Sequence, residues 1–304
     1  MENVVITGAA SFIGTHWGDA LVERGYSVIA VVRPGSQASV AFKEKYPFVK
    51  AIELSMSDYA MLADFIEPPI DAFFSLSWNG TRGIDRSDEE KQKQNYDASL
   101  MALHAAIQLG VKTFITAGSQ AEYGMQEGLI DEHCIERPST AYGKEKLHFY
   151  LDAAKICEQN NIRLIEPRFF SLYGPGDFEG TLVMSALRKM LHDEPCDFTD
   201  CEQMWNFMNV RDAASALVYL VEHAEILGGV YNFASTDTRQ LKRFILEMKQ
   251  ITKSHSELHF GAIPHNDNGS AGLQPSVSKL LITGWQTHIS FEQGIEEIMS
   301  EYVR

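Results

Sequence analysis

The chain has 304 residues, enough for one large α/β domain with a smaller appendage, and its 45% apolar share supplies an ordinary globular core. A formal net charge of -15 argues against a surface built to neutralise phosphate, so neither nucleic acid nor an anionic membrane is expected as a partner. No apolar run approaches the roughly 18 residues that span a bilayer. No basic leader precedes the first apolar run, and Cys134, Cys157, Cys196 and Cys201 lack metal-binding spacing, so free buried thiols, no metal and a cytoplasmic location are expected.

In chain order, the first half alternates short β-prone runs with longer helical ones. Strands are expected at Val4 to Thr7, Ser27 to Val32, Val49 to Leu54, Ala72 to Leu76, Thr113 to Thr116 and Arg163 to Glu166. Helices are expected at Phe12 to Arg24, Glu89 to Leu109 and Ala141 to Asn160, with Gly25 and Gly110 placed as C-terminal caps. Such alternation predicts a parallel sheet covered on both faces by helices. After about Tyr173 the run Gly174-Pro175-Gly176-Asp177 breaks the pattern. Helices at Leu182 to Leu191, Arg211 to His223 and Phe291 to Tyr302, a returning strand at Val230 to Ala234 and a polar loop at Asn266 to Gly272 suit a smaller second lobe. The expected division is 1–172, with 206–234 returning to it, and 173–304.

Strand one runs into Thr7-Gly8-Ala9-Ala10-Ser11-Phe12-Ile13-Gly14, which opens a helix. A glycine directly after a strand allows a tight turn, and small residues let a helix N-terminus approach a pyrophosphate whose charge suits the helix dipole. Thr7, Gly8, Phe12, Ile13 and Gly14 are therefore the expected dinucleotide contacts of a doubly wound Rossmann sheet, with Leu76 at the end of strand four beside them. Ser11 stands where a third glycine is usual. Strand two ends Val31-Val32-Arg33-Pro34-Gly35-Ser36. NAD sites normally place an acid here for the ribose hydroxyls, whereas a basic residue pairs with the extra 2′-phosphate of NADP, so Arg33 favours NADP over NAD.

Ser119 follows strand five, and Tyr142 and Lys146, four residues apart at the start of a helix, share one face. A cation about 4 Å from the phenol in a partly screened site supplies roughly 4 kcal/mol, enough to lower its pKa by about three units towards a useful acid/base. A serine hydroxyl near the same substrate oxygen holds it in line for proton transfer.

With these blocks in order, the sequence resembles the extended short-chain dehydrogenase/reductase family, in its nucleotide-sugar epimerase, dehydratase and reductase branch. The resemblance runs through the glycine turn, Asn95, Ser119, Tyr123-Gly124, Tyr142 with Lys146, and Pro167-Arg168-Phe169-Phe170-Ser171-Leu172-Tyr173-Gly174. It continues through Phe207-Met208-Asn209-Val210-Arg211-Asp212, Val230-Tyr231-Asn232-Phe233 and Gly284-Trp285. It implies an α/β Rossmann domain with a smaller C-terminal substrate lobe. Tyr142 becomes the acid/base, Lys146 the residue that lowers its pKa and holds the nicotinamide ribose, and Ser119 the ligand of the reacting oxygen. Asn95 joins the cofactor contacts, and Trp78, Gln120, Arg168, Ser171 and Arg211 are the expected substrate contacts. A homodimer joined through the helices Glu89 to Leu109 and Ala141 to Asn160 is also implied.

The sequence departs from the family in informative places. Dehydratases of the family carry an Asp-Glu pair after the Ser/Thr position; here those places are Gln120 and Ala121, and Glu122 comes one step late, where an extended chain reverses the side-chain direction. That disfavours dehydration and leaves keto reduction with NADPH, with NAD-dependent 4-epimerisation as the alternative and a non-catalytic dinucleotide sensor as the third reading. Trp205 and Asn266 stand where relatives carry phosphate-gripping arginines and cannot form a bidentate clamp; Arg168, Lys189, Arg211 and Arg239 are the available substitutes. Ser55 replaces an acid that usually meets adenine.

Overall fold

The computed structural model describes residues 3–264 and 272–302. The strands are β1 Asn3–Thr7, β2 Ser27–Val32, β3 Lys50–Glu53, β4 Ala72–Ser75, β5 Thr113–Thr116, β6 Gly118–Ser119, β7 Arg163–Phe169, β8 Ser171–Tyr173, β9 Cys196–Phe198, β10 Met204–Asn209, β11 Gly229–Phe233, β12 Thr238–Gln240 and β13 Leu258–Phe260. The helices are α1 Phe12–Glu23, α2 Gln37–Lys45, α3 Glu89–Gln108, α4 Ala141–Gln159, α5 Leu182–Leu191, α6 Val210–Glu222, α7 Leu241–Ile251, α8 Ser278–Ile282 and α9 Phe291–Tyr302.

The chain resolves into two compact units. The first holds the residues up to Gly124, His133–Phe169 and Ala214–Tyr231. Its sheet has the order β11-β7-β5-β4-β1-β2-β3, with β6 added beside β7. The pairs β1–β2, β2–β3, β1–β4, β4–β5 and β5–β7 are all parallel, in registers such as Val5 opposite Ile29 and Phe73. Strands covered on both faces need no polar side, and β4 and β5 are accordingly buried at every position. The chain winds outward from β1 through β2 to β3, then crosses back to β4 and winds the other way. β1 and β4 are therefore the switch point, where such sheets open a crevice at the strand C-termini. α3 and α4 cover one face through Ala102, Ala106, Phe149 and Ala153 against Phe73 and Phe114. Gly25 and Gly110 sit at φ +83 and +69, the left-handed geometry expected after helix ends.

The second unit comprises Met125–Glu132, Phe170–Ala213 and the chain from Asn232 on. A small sheet of order β12-β10-β8 and the parallel pair β9–β13 are covered by α5, α7 and α9 around Tyr173, Phe207, Phe244 and Phe291. The return expected from residue 206 begins instead at Ala214, because β10 pairs with β8 and β12 within this unit. Among the described residues no helix is long and apolar enough to cross a membrane. Asn266 lies outside the described residues.

Candidate active site

The glycine turn is built as its residues dictate. Gly8 has φ +69, and a Cβ there would lie 3.0 Å from the Ser77 nitrogen, so β1 and the end of β4 approach as closely as backbone allows. A Cβ on Gly14 would overlap the Gly8 carbonyl, so this glycine is required for α1 to begin hard against the strand. Ser11, standing in place of a third glycine, is the N-cap of α1: its Oγ accepts the Gly14 N–H at 3.1 Å. The N–H groups of Phe12 and Ile13 are left as the helix-start donors for an anion.

Beside this turn lies a cavity of about 930 Å³ lined by Gly8, Ser11, Arg33, Ser55, Leu76, Trp78 and Asn95. A glycine-lined cradle at a helix start, opening on a groove of this size at the switch point, fits a nicotinamide dinucleotide. Arg33 lies at its rim with its guanidinium hydrogen-bonded to the neutral side chain of Asn79. Asn95 is buried and uses its amide on backbone: Oδ1 accepts Asn79 N–H at 2.9 Å and Nδ2 donates to the Asn79 carbonyl at 2.8 Å. These two bonds tie α3 to the loop after β4, and Asn95 also lines the cavity.

Trp78, which lines this cavity, also touches Tyr142 and Lys146. Ser119 ends β6 and caps the turn 120–122, its Oγ accepting Ala121 N–H at 3.2 Å. Thr140 caps α4 by accepting Gly143 N–H at 3.2 Å, which sets Tyr142 and Lys146 in the first turns, one above the other. Lys146 is buried; its Nζ donates to the Ala117 carbonyl and lies 3.9 Å from the centre of the Trp78 ring. Trp78 is fixed by donating to Gln92 at 2.7 Å and meets Tyr142 edge to face at 6.1 Å.

The electrostatics differ from the sequence expectation. Burial pushes the Tyr142 phenol up to about 12, with relief from the Ser119 hydrogen bond and the Arg86 guanidinium, while Glu122 adds to the rise. The expected net lowering is not seen: burial outweighs the groups that lower the phenol, while Lys146 Nζ donates to the Ala117 carbonyl and lies against Trp78, 5.5 Å from the Tyr142 ring centre. Burial brings Lys146 itself down to about 8 against the opposing pull of Glu122 and Glu166. Arg86, whose guanidinium carbon lies 4.7 Å over the Tyr142 ring, is the cation nearest that ring among the described residues and escaped the sequence reading. Nothing in the run Gly83–Ser87 marks it; only the fold of that 3-10 turn onto α4 does.

A sequence profile described as the NAD dependent epimerase/dehydratase family matches residues 4–234. The chain belongs to this family. Similar proteins include CDP-abequose synthase of Salmonella muenchen, 24% identical over 98% of this chain and 97% of its own length. ADP-L-glycero-D-manno-heptose-6-epimerase of Pseudomonas paraeruginosa is 26% identical over 84% and 80%. Among solved structures, UDP-glucose 4-epimerase of Thermotoga maritima with UDP-glucose superposes with a TM-score of 0.87 at 23% identity, covering 99% of this chain and 100% of that one. UDP-glucuronic acid 4-epimerase of Bacillus cereus with NAD gives 0.82 at 21%, covering 99% of each. Both share the α/β architecture described above.

Within this family member the expected residues fall into three groups. Thr7, Gly8, Phe12, Ile13, Gly14, Arg33, Leu76, Trp78, Asn95, Ser119, Gln120, Tyr142 and Lys146 all lie in the first unit. Gln120 follows Ser119 directly, and its Oε1 is buried with no hydrogen-bond partner among the described residues, an acceptor available to a substrate hydroxyl. Ser171 lies on β8, and Arg211 on α6 is surface-exposed and pairs with Glu297 at 2.9 Å. Arg168 is a correction: it is 0% exposed and locked between Glu166 at 2.9 Å, Glu122 at 3.2 Å and Glu136 at 3.2 Å, so it reaches no substrate. Its alternation on β7 turns it inward, where its guanidinium stacks on Tyr123. Arg239, opposite Trp205 in the β10–β12 pairing, is likewise matched by Asp237 and Glu247.

Proposed function

We propose that this chain is an NADP-dependent oxidoreductase of a nucleotide-activated sugar, reducing a keto group with NADPH at a Ser119, Tyr142 and Lys146 site. Arg33 carries the cofactor assignment. It follows β2 at the cavity rim and, among the described residues, bonds the neutral Asn79 and meets no carboxylate, the arrangement suited to a 2′-phosphate. A bound nicotinamide supplies the hydride. Ser119 holds the keto oxygen, and Tyr142, kept protonated by burial, donates its proton to that oxygen as the alcohol forms. Lys146, at about 8, remains largely an ammonium at neutral pH and holds positive charge behind the phenol. The nucleotide-sugar class is supported by relatives whose names carry CDP-, ADP- and UDP-linked sugars.

A second reading, NAD-dependent 4-epimerisation, is favoured by one observation: epimerases of the same fold have been solved with NAD. The two part cleanly. The reductase consumes NADPH mole for mole with product and is protected against heat more by NADPH than by NADH. The epimerase is purified with NAD bound and interconverts sugar without external cofactor, and that result would remove the reductase assignment. A homodimer through α3 and α4 belongs to the same proposal and predicts twice the chain mass by light scattering.

A further inference from the structure

Behind the site lies a buried group of charges that the chemistry above does not use. Glu122, Glu166 and Arg168 are 0%, 1% and 0% exposed. They are admitted by Gly118, where a Cβ would lie 2.7 Å from Glu166 Cγ and 3.0 Å from Arg168 Cγ. Both carboxylates converge on one donor. Arg168 Nε donates to Glu166 Oε2 at 2.9 Å, while Glu122 Oε2, 3.2 Å from the same nitrogen, has no donor correctly aimed at it among the described residues. The other Glu122 oxygen, Oε1, accepts the Ser119 backbone N–H at 2.6 Å.

Two ionised carboxylates cannot share one N–H in a buried, low-dielectric site without strong repulsion, and a buried carboxylate oxygen without a donor is costly. One proton resolves both conditions: placed on Glu166, it is donated to Glu122 Oε2. We propose that Glu122 and Glu166 share a single proton, so that the pair carries one negative charge, and that Glu122 with this charge is a positioning residue that holds Ser119 and keeps Lys146 an ammonium. Burial raises both acids from the carboxylate range, Glu166 the further, in accord with this geometry.

The groups that face Lys146 come from every element around it. They are the Ala117 carbonyl after β5, Trp78 after β4, Tyr142 one turn earlier on α4, Glu122 in the turn after β6 and Glu166 on β7. The pair itself is faced by Arg168, by Glu136 through Arg168, and by Tyr123 and Tyr150 against the guanidinium. Among the described residues, the charge of the pair is thus the only negative one opposing the desolvation of Lys146. The pair is also self-compensating. Removing either acid lets the other carry the charge.

The test is a pair of titrations by carbon-13 NMR on the intact protein. In wild type at pH 7, the carboxyl carbons of Glu122 and Glu166 report one protonated and one ionised group; two ionised groups would overturn the proposal without any variant being needed. The Cε carbon of Lys146 then titrates near 8 in wild type. Its midpoint stays within about half a unit in Glu122→Gln and in Glu166→Gln, and falls by about one unit or more in the double variant. A single variant that shifts it as far as the double contradicts the shared proton. The role as a positioning residue rests on the Ser119, Tyr142 and Lys146 reading, and the pH profile of NADPH-dependent turnover separates the two. If the NMR midpoints move as stated and the turnover profile ignores them, the acid pair stands and the catalytic reading fails.

Discussion

The depressed pKa of Lys146 makes the sharpest prediction. Burial brings it from 10.5 to about 8. The ammonium is therefore lost as pH rises through about 8 rather than through the ordinary lysine range. About nine-tenths of the protein carries it at pH 7 and about one-tenth at pH 9. Turnover that needs the ammonium falls about tenfold per pH unit above that midpoint. Tyr142, held up near 12, adds no limb in this window. The same shift has a stability sign. At 1.36 kcal/mol per unit it costs the folded state roughly 3 kcal/mol while the lysine is charged. Between 8 and 10.5 the unfolded chain binds the proton and the folded one does not, so this group's contribution to stability rises with pH across that interval. Lys146→Arg is the decisive perturbation, because a guanidinium stays charged throughout. Initial rates of NADPH oxidation from about pH 6 to 10 should show a single descending limb in wild type and none in the variant, whatever amplitude the variant loses. A flat wild-type profile to pH 10, or an unmoved limb in Lys146→Arg, would refute the reasoning.

Ser119→Ala removes the cap of the turn 120–122 and the hydroxyl proposed to hold the keto oxygen, and kcat should fall by about 10²-fold or more while the NADPH dissociation constant stays put; steady-state kinetics beside fluorescence titration measure both. Arg33→Ser should weaken NADPH about 10-fold or more and leave NADH nearly unchanged in the same titration, since in the proposed reading the guanidinium at the cavity rim pairs with a 2′-phosphate that NADH lacks. Gly124→Ala should destabilise by about 2 kcal/mol or more, and by several degrees in calorimetry, because Gly124 has φ +70 and its new Cβ would overlap the Arg137 carbonyl.

Much of the first unit was legible because its signals are local. α1, α3 and α4 begin at their expected residues, each opened by a side-chain N-cap from Ser11, Asp88 or Thr140, and end within one residue of the expected bound. Buried parallel strands read as short apolar runs, and β2 and β5 match the expected spans at both ends. α2 had no such mark, since only Ser39 and Phe42 in Gln37–Lys45 are buried and no apolar stripe forms. β9 and β13 are three-residue strands paired across a long separation, which no local pattern announces. At the site, the Tyr142 and Lys146 spacing put both side chains in one buried cluster. What they feel there depends on tertiary neighbours: Trp78 against the ammonium, Arg86 over the phenol, and Glu122 and Glu166 behind. Arg168 departs from its expected place for the same reason. Its motif gives its position but not its direction, and the inward face of β7 commits it to carboxylates.

In the proposed mechanism the Tyr142 hydroxyl is the group that hands over the proton. Tyr142→Phe removes one oxygen from a ring fixed by Trp78 and Arg86, so fold and cofactor site are retained. Rapid mixing of that variant with NADPH and a keto nucleotide sugar should show normal cofactor binding and a hydride-transfer rate reduced by about 10³-fold or more. Undiminished transfer in Tyr142→Phe would contradict the central claim.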